Sequence, residues 1–157
     1  MTFIKTTNWP WGGLLTYVRN NMIAKRRLDL ESNDIESICV EITSHNNKKF
    51  LVVCIYRPPN SRAILWSHIE SLLDNCANTE LDLIFWGDIN IDHLHCSDNH
   101  HFLLKTLKYG LQNVIHDSTR ITTTSSTLLD PIVVSNINIV NAWLLQWPLL
   151  FNIGNTF

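Results

Sequence analysis

Residues 81–92 read Leu-Asp-Leu-Ile-Phe-Trp-Gly-Asp-Ile-Asn-Ile-Asp and carry the strongest structural signal in the chain. Residues 83–86 are all apolar, and so short a run before turn residues predicts a strand buried on both faces. Gly87 ends the run and lets the backbone turn or approach another group closely. Asp88, Asn90 and Asp92 follow at alternate positions, which share one face of an extended chain. We therefore expect Asp88 and Asn90 to lie side by side at a strand end.

A carboxylate and an amide held on a rigid strand end can bind a water molecule, a phosphate group or a metal ion. The same residues are also typical of an ordinary Asx turn after a strand. A single Gly-Asp-x-Asn motif does not distinguish these interpretations, because so short a motif is common in unrelated proteins. Residues 87–90 are compatible with both interpretations.

Composition indicates an ordinary globular domain. The 157 residues are 45% hydrophobic and 17% charged, which argues against disorder and favours one domain. The net charge of −2 and the pI near 6.4 argue against a dedicated basic nucleic-acid binder, so such a role would need a local patch or a metal ion. The basic clusters at 25–27 and 48–49 are interpreted as solvated surface.

Cysteine usage and hydropathy indicate an intracellular protein, either nuclear or cytoplasmic and not secreted. No Cys-x-x-Cys pair is present, and disulfide scaffolding is not expected at this size, which favours a reducing compartment. The N-terminus has no apolar core of the signal-peptide kind. The longest apolar region, 142–151, is interrupted by Gln146 and Pro148 and is too short to span a bilayer.

The chain before residue 57 predicts mainly strands. Residues 14–18 form a predicted strand, and the polar segment 25–33 is a loop or an edge segment. Residues 35–43 alternate as a half-buried strand does, with one apolar face formed by Ile38, Val40 and Ile42. Residues 50–56 are apolar throughout and predict a central strand that forms a hairpin with 35–43.

Helices and strands alternate in the second part. Pro58 and Pro59 stop the strand, and Asn60 or Ser61 is expected to cap a helix over 62–77. Its apolar face consists of Leu65, Ile69, Leu72, Leu73 and Cys76. A shorter helix over 99–109 with Gly110 as its C-cap and strands at 111–115 and 128–134 complete the pattern. Such alternation predicts an α/β (α+β) fold with mixed sheets covered by helices.

Four segments stand in a characteristic order: Gly12-Gly13-Leu-Leu-Thr-Tyr-Val; Cys54-Ile-Tyr-Arg-Pro-Pro-Asn60; Gly87-Asp-Ile-Asn90; and Thr119-Arg-Ile-Thr122 followed by Ser126-Thr-Leu-Leu-Asp130. The series resembles the endonuclease/exonuclease/phosphatase superfamily. It most resembles the apurinic-type endonuclease domain of non-LTR (LINE-type) retrotransposons, which precedes the reverse transcriptase. The resemblance implies a domain at 12–141, an atypical N-terminal segment at 1–11 and a divergent tail at 142–157.

The resemblance implies a four-layer α/β sandwich of two mixed β-sheets with helices outside. It also implies metal-dependent cleavage of DNA phosphodiesters with Mg²⁺ or Mn²⁺. Asp88 would orient or deprotonate the attacking water, and Asn90 would help to hold the nucleophile and the phosphate. Tyr56 would contact the scissile phosphate, and Asp130 would support a catalytic histidine. Asp88 and Asn90 offer too few oxygens for Mg²⁺ by themselves, so the metal site would be weak and incomplete.

Two departures from the family lead us to expect a domain truncated at both ends and impaired in catalysis. The family's metal-binding glutamate precedes the Gly-Gly segment, but residues 1–11 contain no acidic side chain. The family ends in Ser-Asp-His, but residues 142–157 contain neither Asp nor His. The alternatives are a non-catalytic remnant that binds nucleic acid or protein, and a phosphatase acting on a small phosphorylated substrate. The oligomeric state is left open.

A second group of residues could bind zinc: His93, His95, Cys96, His100 and His101. Their spacing fits no common zinc finger, and a loop between a strand and a helix tolerates surface histidines. The interpretation as ordinary loop residues is therefore favoured over a zinc site.

Overall fold

The computed structural model describes residues 2–5, 13–44, 46–95 and 106–139. The elements are β1 (Thr2–Lys5), β2 (Leu15–Val18), β3 (Ile23–Arg26), β4 (Glu36–Thr43), β5 (Lys49–Tyr56), α1 (Ile64–Ala77), β6 (Asp82–Asp88), β7 (Gln112–Asn113), β8 (Arg120–Ile121), β9 (Ser126–Thr127) and β10 (Ile132–Val134). Within these ranges, no helix has the length and apolar character needed to traverse a bilayer.

A six-stranded sheet forms the centre of the fold, in the order β3-β4-β5-β6-β10-β7. The sheet is mixed, because β5 and β6 are parallel while its other neighbours are antiparallel. β1 pairs with β2, and β8 pairs with β9, in two small antiparallel sheets. The predicted α/β class with a mixed sheet and helices is confirmed.

Two hydrophobic cores lie on opposite faces of the six-stranded sheet, since alternate residues of each strand point to opposite sides. The helix-side core joins α1 to Cys39, Leu51, Val53, Ile55, Leu83 and Phe85. The hairpin-side core joins Val18 of β2 to Ile38, Val40, Ile42, Phe50 and Cys54. Both faces of the central strands therefore pack against apolar residues, with Ile84 and Trp86 partly buried on the hairpin side, which explains why residues 83–86 are apolar without interruption.

The predicted hairpin of residues 35–43 and 50–56 is present as β4 and β5, which pair antiparallel from Glu36 opposite Tyr56 to Thr43 opposite Lys49. The expectation that β4 is half-buried is wrong. Only Glu41 and Thr43 of its residues are partly exposed, because the face that carries Cys39 packs against α1. The polar segment that begins at residue 25 contributes to an edge strand, β3.

The capping prediction for α1 is wrong. The helix begins at Ile64 with Ala63 in the N-cap position, and no side chain caps it. The Ser61 hydroxyl donates to the carbonyl of Pro58 instead, so the preceding turn uses the group that was expected to cap the helix. The buried face of α1 also includes Trp66, whereas Leu65, which was expected on that face, is only partly buried.

Most of the helix predicted at 99–109 and the whole tail at 142–157 lie outside the described residues. The described end, 106–108, is helical and is followed by Gly110 with φ of +66°. The N–H of Gly110 donates to Leu107 O at 3.0 Å and that of Leu111 to Thr106 O at 3.0 Å, the hydrogen bonds of a helix C-terminus.

Gly87 occupies a position that accepts no side chain. It lies opposite Ile55 in the parallel β5–β6 pair and has φ of +148°. A Cβ atom at this position would lie 1.9 Å from Ile55 O and 2.8 Å from Ile55 C. Both contacts are with backbone, which cannot rotate away as a side chain does. The close approach expected of this glycine is therefore made to β5.

We predict that Gly87→Ala destabilises the protein by at least about 3 kcal/mol, because the clash adds to a backbone strain of about 1–3 kcal/mol. Gly110→Ala is the matched control. Its φ is also positive, but no atom lies within 4 Å of its Cβ position. We expect it to cost only about 1–2 kcal/mol. Urea unfolding of both variants tests this, and equal losses would contradict the steric explanation.

Candidate functional site at the strand ends

Three polar side chains lie in a row across the central strands. Glu36 is opposite Tyr56 in the β4–β5 pair, and Tyr56 is opposite Asp88 in the β5–β6 pair. Because directly opposed residues point to the same face, all three side chains share the hairpin side of the sheet. Glu36 opens its strand, whereas Tyr56 and Asp88 close theirs. The row therefore lies at one end of the sheet.

Asp130 belongs to the same end of the sheet. The β6–β10 pair places Ile132 opposite Trp86, and the N–H of Ile89 continues this register by donating to Leu129 O at 3.1 Å. Asp130 also affects the carboxyl of Asp88 electrostatically. We call Tyr56, Asp88, Asn90 and Asp130 the strand-end cluster. The structure brings these residues together from three segments that are distant in sequence.

Asp88 is a partly buried carboxylate. Burial raises its pKa above 3.8, and the nearby charge of Asp130 adds to the increase. The N–H of Asn90, which donates to Asp88 Oδ1 at 2.9 Å, and the charge of Arg120 oppose it. The net increase makes Asp88 a stronger proton acceptor, once ionised, than an exposed aspartate.

Asn90 belongs to the cluster through a turn, and not as the next residue on the same face of an extended strand. The strand ends at Asp88, and Asn90 has φ of +49°, so it does not continue the strand pleat. Its backbone N–H closes an Asx turn on Asp88, while its side-chain Nδ2 donates to Arg57 O at 2.9 Å. Asn and Asp adopt this left-handed conformation more readily than most residues. The Asx turn is thus part of the candidate site, not an alternative to it.

Arg57 stabilises this turn, a role that the sequence pattern did not indicate. Its backbone N–H donates to Asp88 O at 2.8 Å, and its Nη1 donates to Ile89 O at 3.0 Å. The guanidinium lies 4.9 Å from the ring centroid of Trp66 and is buried, which lowers its pKa. A cation directly after a buried strand was the available signal, but Arg57 was interpreted only as a member of the segment 54–60.

Tyr56 is suited to donate a hydrogen bond. Burial raises the pKa of its phenol, and the negative charges of Asp88 and Glu36 raise it further, so the hydroxyl is neutral at neutral pH. Glu36 is only 3% exposed and was also missed. Extending the alternation of Ile38, Val40 and Ile42 back by two residues would have placed Glu36 on the same face.

Asp92 does not join the cluster but anchors the following loop. Its Oδ1 accepts the N–H groups of Leu94 at 3.0 Å and Leu128 at 3.1 Å, and its Oδ2 lies 2.6 Å from His95 Nδ1. Burial raises the pKa of Asp92, but these hydrogen bonds outweigh it and the net change is downward. The other members of the possible zinc group, apart from His93, lie outside the described residues: Cys96, His100 and His101.

The described residues do not supply a complete magnesium site. They contain no group of three or more His, Cys, Asp or Glu side chains arranged to hold a metal ion. Asp88 Oδ1 already accepts a backbone N–H. Mg²⁺ favours six oxygen ligands in near-octahedral geometry, so Asp88 and Asn90 could hold it only with several water molecules.

Charges beside β3 are largely paired. The ion pairs are Arg26–Glu31 at 2.8 Å, Arg27–Asp29 at 2.7 Å, Arg27–Glu41 at 3.0 Å and Lys49–Glu41 at 2.9 Å. The positive charges at 26–27 and at 49 thus have acidic partners within the chain. This arrangement agrees with a solvated surface and not with an open basic patch.

Comparison with known proteins gives matches in structure alone. No family model and no curated protein matches the chain. A conserved protein of unknown function from Enterococcus faecalis V583 aligns with a TM-score of 0.53 at 10% identity, covering 85% of this chain and 64% of that chain. This similarity supports the fold.

Two further neighbours have lower TM-scores. An endonuclease/exonuclease/phosphatase family protein from Bacteroides thetaiotaomicron aligns with a TM-score of 0.43 at 14% identity, covering 63% of this chain and 40% of that one. The APE2 catalytic domain from Xenopus laevis aligns with a TM-score of 0.44 at 14% identity, covering 67% and 46%. The chain thus spans less than two thirds of each solved structure.

We predict that Asp88→Asn increases stability at neutral pH and not at acidic pH. Because burial raises the pKa of Asp88 in the folded protein, the native state keeps the carboxyl proton up to a higher pH than the unfolded chain does. The free energy of unfolding therefore falls as pH rises from 3.8 through the folded-state pKa. The variant lacks this loss and can still accept the N–H of Asn90. Urea unfolding of both proteins across pH tests it. A wild type more stable than the variant at neutral pH would contradict the predicted sign.

Proposed function

We propose that this chain is a phosphate-ester-binding domain derived from a retrotransposon endonuclease, with the DNA phosphodiester as its ligand and with impaired cleavage. The supporting observation is the register that places Tyr56 beside Asp88, with Asn90 and Asp130 at the same end of the sheet. These are the residues that the superfamily resemblance assigns to phosphodiester chemistry. The Asx turn and the Asn90–Arg57 hydrogen bond hold two of these groups in place, and the proposal assigns a ligand to the edge where all four meet.

Each member of the cluster has a chemical role in this proposal. Asp88, with its raised pKa, orients the attacking water and accepts its proton. Tyr56 stays protonated and donates a hydrogen bond from its phenol to a non-bridging phosphate oxygen. One N–H of Asn90 Nδ2 donates to Arg57 O, which leaves its carbonyl oxygen and its second N–H available to the ligand. Asp130 would orient a further basic group, if another chain or segment provides one.

Electrostatic stabilisation is the step that these residues supply poorly. Phosphodiester cleavage places additional negative charge on the phosphate oxygens, and preorganised cations or donors normally stabilise it. Glu36, Asp88 and Asp130 bring negative side chains to this region instead. A divalent cation would supply the missing charge, but the described ligand set does not form a site for it. Binding without efficient cleavage is therefore the proposed behaviour.

We predict that the purified chain does not measurably nick supercoiled or abasic-site DNA in the presence of Mg²⁺. Loss of even one oxyanion-stabilising donor typically reduces a rate by about 10²–10³. The assay compares wild type with Asp88→Ala, both freed of host nucleases. Nicking by wild type alone would contradict the proposed impairment, and equal nicking by both proteins would identify contamination.

We predict only weak Mg²⁺ binding, with Kd of about 1 mM or weaker, because the cluster offers few of the oxygens that octahedral coordination needs. Isothermal titration calorimetry of wild type and Asp88→Ala measures it, and Mn²⁺ can be titrated in the same way. Tight, saturable binding that Asp88→Ala abolishes would show that residues outside the strand-end cluster complete the site.

A further inference from the structure

Arg120 carries a positive charge and has no role in the chemistry proposed above. It begins β8 and lies opposite Thr127 in the β8–β9 hairpin, where it is exposed. Within the described ranges it forms no ion pair, unlike Arg26 and Arg27. An exposed arginine that forms no ion pair with a described residue keeps its N–H donors available to a ligand.

The base of this hairpin is joined to the strand-end cluster by hydrogen bonds. Thr119, which precedes Arg120, accepts the N–H groups of Leu129 at 3.0 Å and Asp130 at 3.3 Å on its Oγ1. Its own N–H donates to Thr127 O at 3.0 Å. Leu129 O in turn accepts the N–H of Ile89, next to Asp88. A continuous set of backbone and hydroxyl contacts therefore fixes the hairpin base relative to Asp88.

The guanidinium of Arg120 also acts electrostatically on the cluster. Burial and Asp130 raise the pKa of Asp88, and the positive charge of Arg120 opposes them. The other arginine next to the cluster, Arg57, is buried beneath the turn and committed to Ile89 O and Trp66. Arg120 thus combines proximity to Asp88 with exposure.

We propose that Arg120 is the anion-binding residue of the strand-end cluster and holds the non-bridging oxygens of a phosphate ester over Asp88. The inference rests on the proposed function and deepens it by naming the residue that binds the phosphate. A guanidinium can donate two parallel N–H bonds to two phosphate oxygens, which a lysine ammonium cannot reproduce. This contact offsets the repulsion that a phosphate experiences from Asp88 and Asp130.

The test measures binding of a short DNA duplex and, separately, of a sugar monophosphate, since both ligands present the same phosphate oxygens. The proteins are wild type, Arg120→Gln, Arg120→Lys and Lys48→Gln. Lys48 is exposed in the β4–β5 turn, just before β5 begins, whereas Tyr56 is the last residue of β5. Its variant therefore removes one positive charge far from the cluster. Thermal unfolding of each variant checks that the fold is retained.

We expect Arg120→Gln to weaken binding about ten-fold, the typical effect of losing one charge-assisted hydrogen bond. With DNA, it should also reduce the slope of log K against log salt by about one. Arg120→Lys should preserve the slope but weaken binding, because the charge remains and the paired donors are lost. Lys48→Gln should resemble wild type.

The outcomes separate the two proposals. If wild type binds neither the duplex nor the sugar monophosphate, the proposed function fails and the inference fails with it. If wild type binds but Arg120→Gln behaves as Lys48→Gln does, only the assignment of Arg120 is overturned. Should Arg120→Gln fail to fold, full affinity in Arg120→Lys would overturn the paired-donor contact.

Discussion

The absence of a side chain at Gly87 is the constraint on which the centre of the structure depends. β5 and β6 approach so closely there that a Cβ atom would overlap the backbone of Ile55. A slip of one residue would both create that overlap and turn every side chain of one strand to the opposite face. The same contact therefore keeps Tyr56 and Asp88 on one face. Strand pairing and site geometry share a single steric requirement.

The turn after β6 shows where the chain accepts an energetic cost. Burying a guanidinium removes it from water, and the lowered pKa of Arg57 reflects this. Its Nη1 donates to a carbonyl oxygen and its guanidinium carbon lies 4.9 Å from the ring centroid of Trp66, with no carboxylate among these contacts. The buried Arg57 lies next to Asp88 and Asn90, and its backbone forms hydrogen bonds with both residues. The buried guanidinium stabilises one conformation of the turn after β6 through its hydrogen bond to Ile89 O.

The sequence pattern predicted secondary-structure elements, which depend mainly on neighbouring residues. It missed features that depend on contacts between residues distant in the chain. The β4–β5 hairpin follows from alternation and a polar turn, which neighbouring residues supply. Asn90 depends on Arg57, 33 residues away, so its left-handed conformation could not be read from the pattern of residues 88–92. The burial of Glu36 likewise requires its pairing with Tyr56. The residues expected at the site are present together, but the groups that position them were visible only in three dimensions.

The ion pairs beside β3 determine how a charged molecule would approach this protein. Arginine and lysine charges there face glutamate and aspartate at 2.7–3.0 Å, so their fields cancel within a few ångströms. With a net charge of −2, the molecule offers a polyanion no long-range attraction from that side. Encounters on that side would then proceed at the slower rates of unsteered diffusion. Self-neutralisation therefore removes this surface as a region that could steer a polyanionic partner toward the protein.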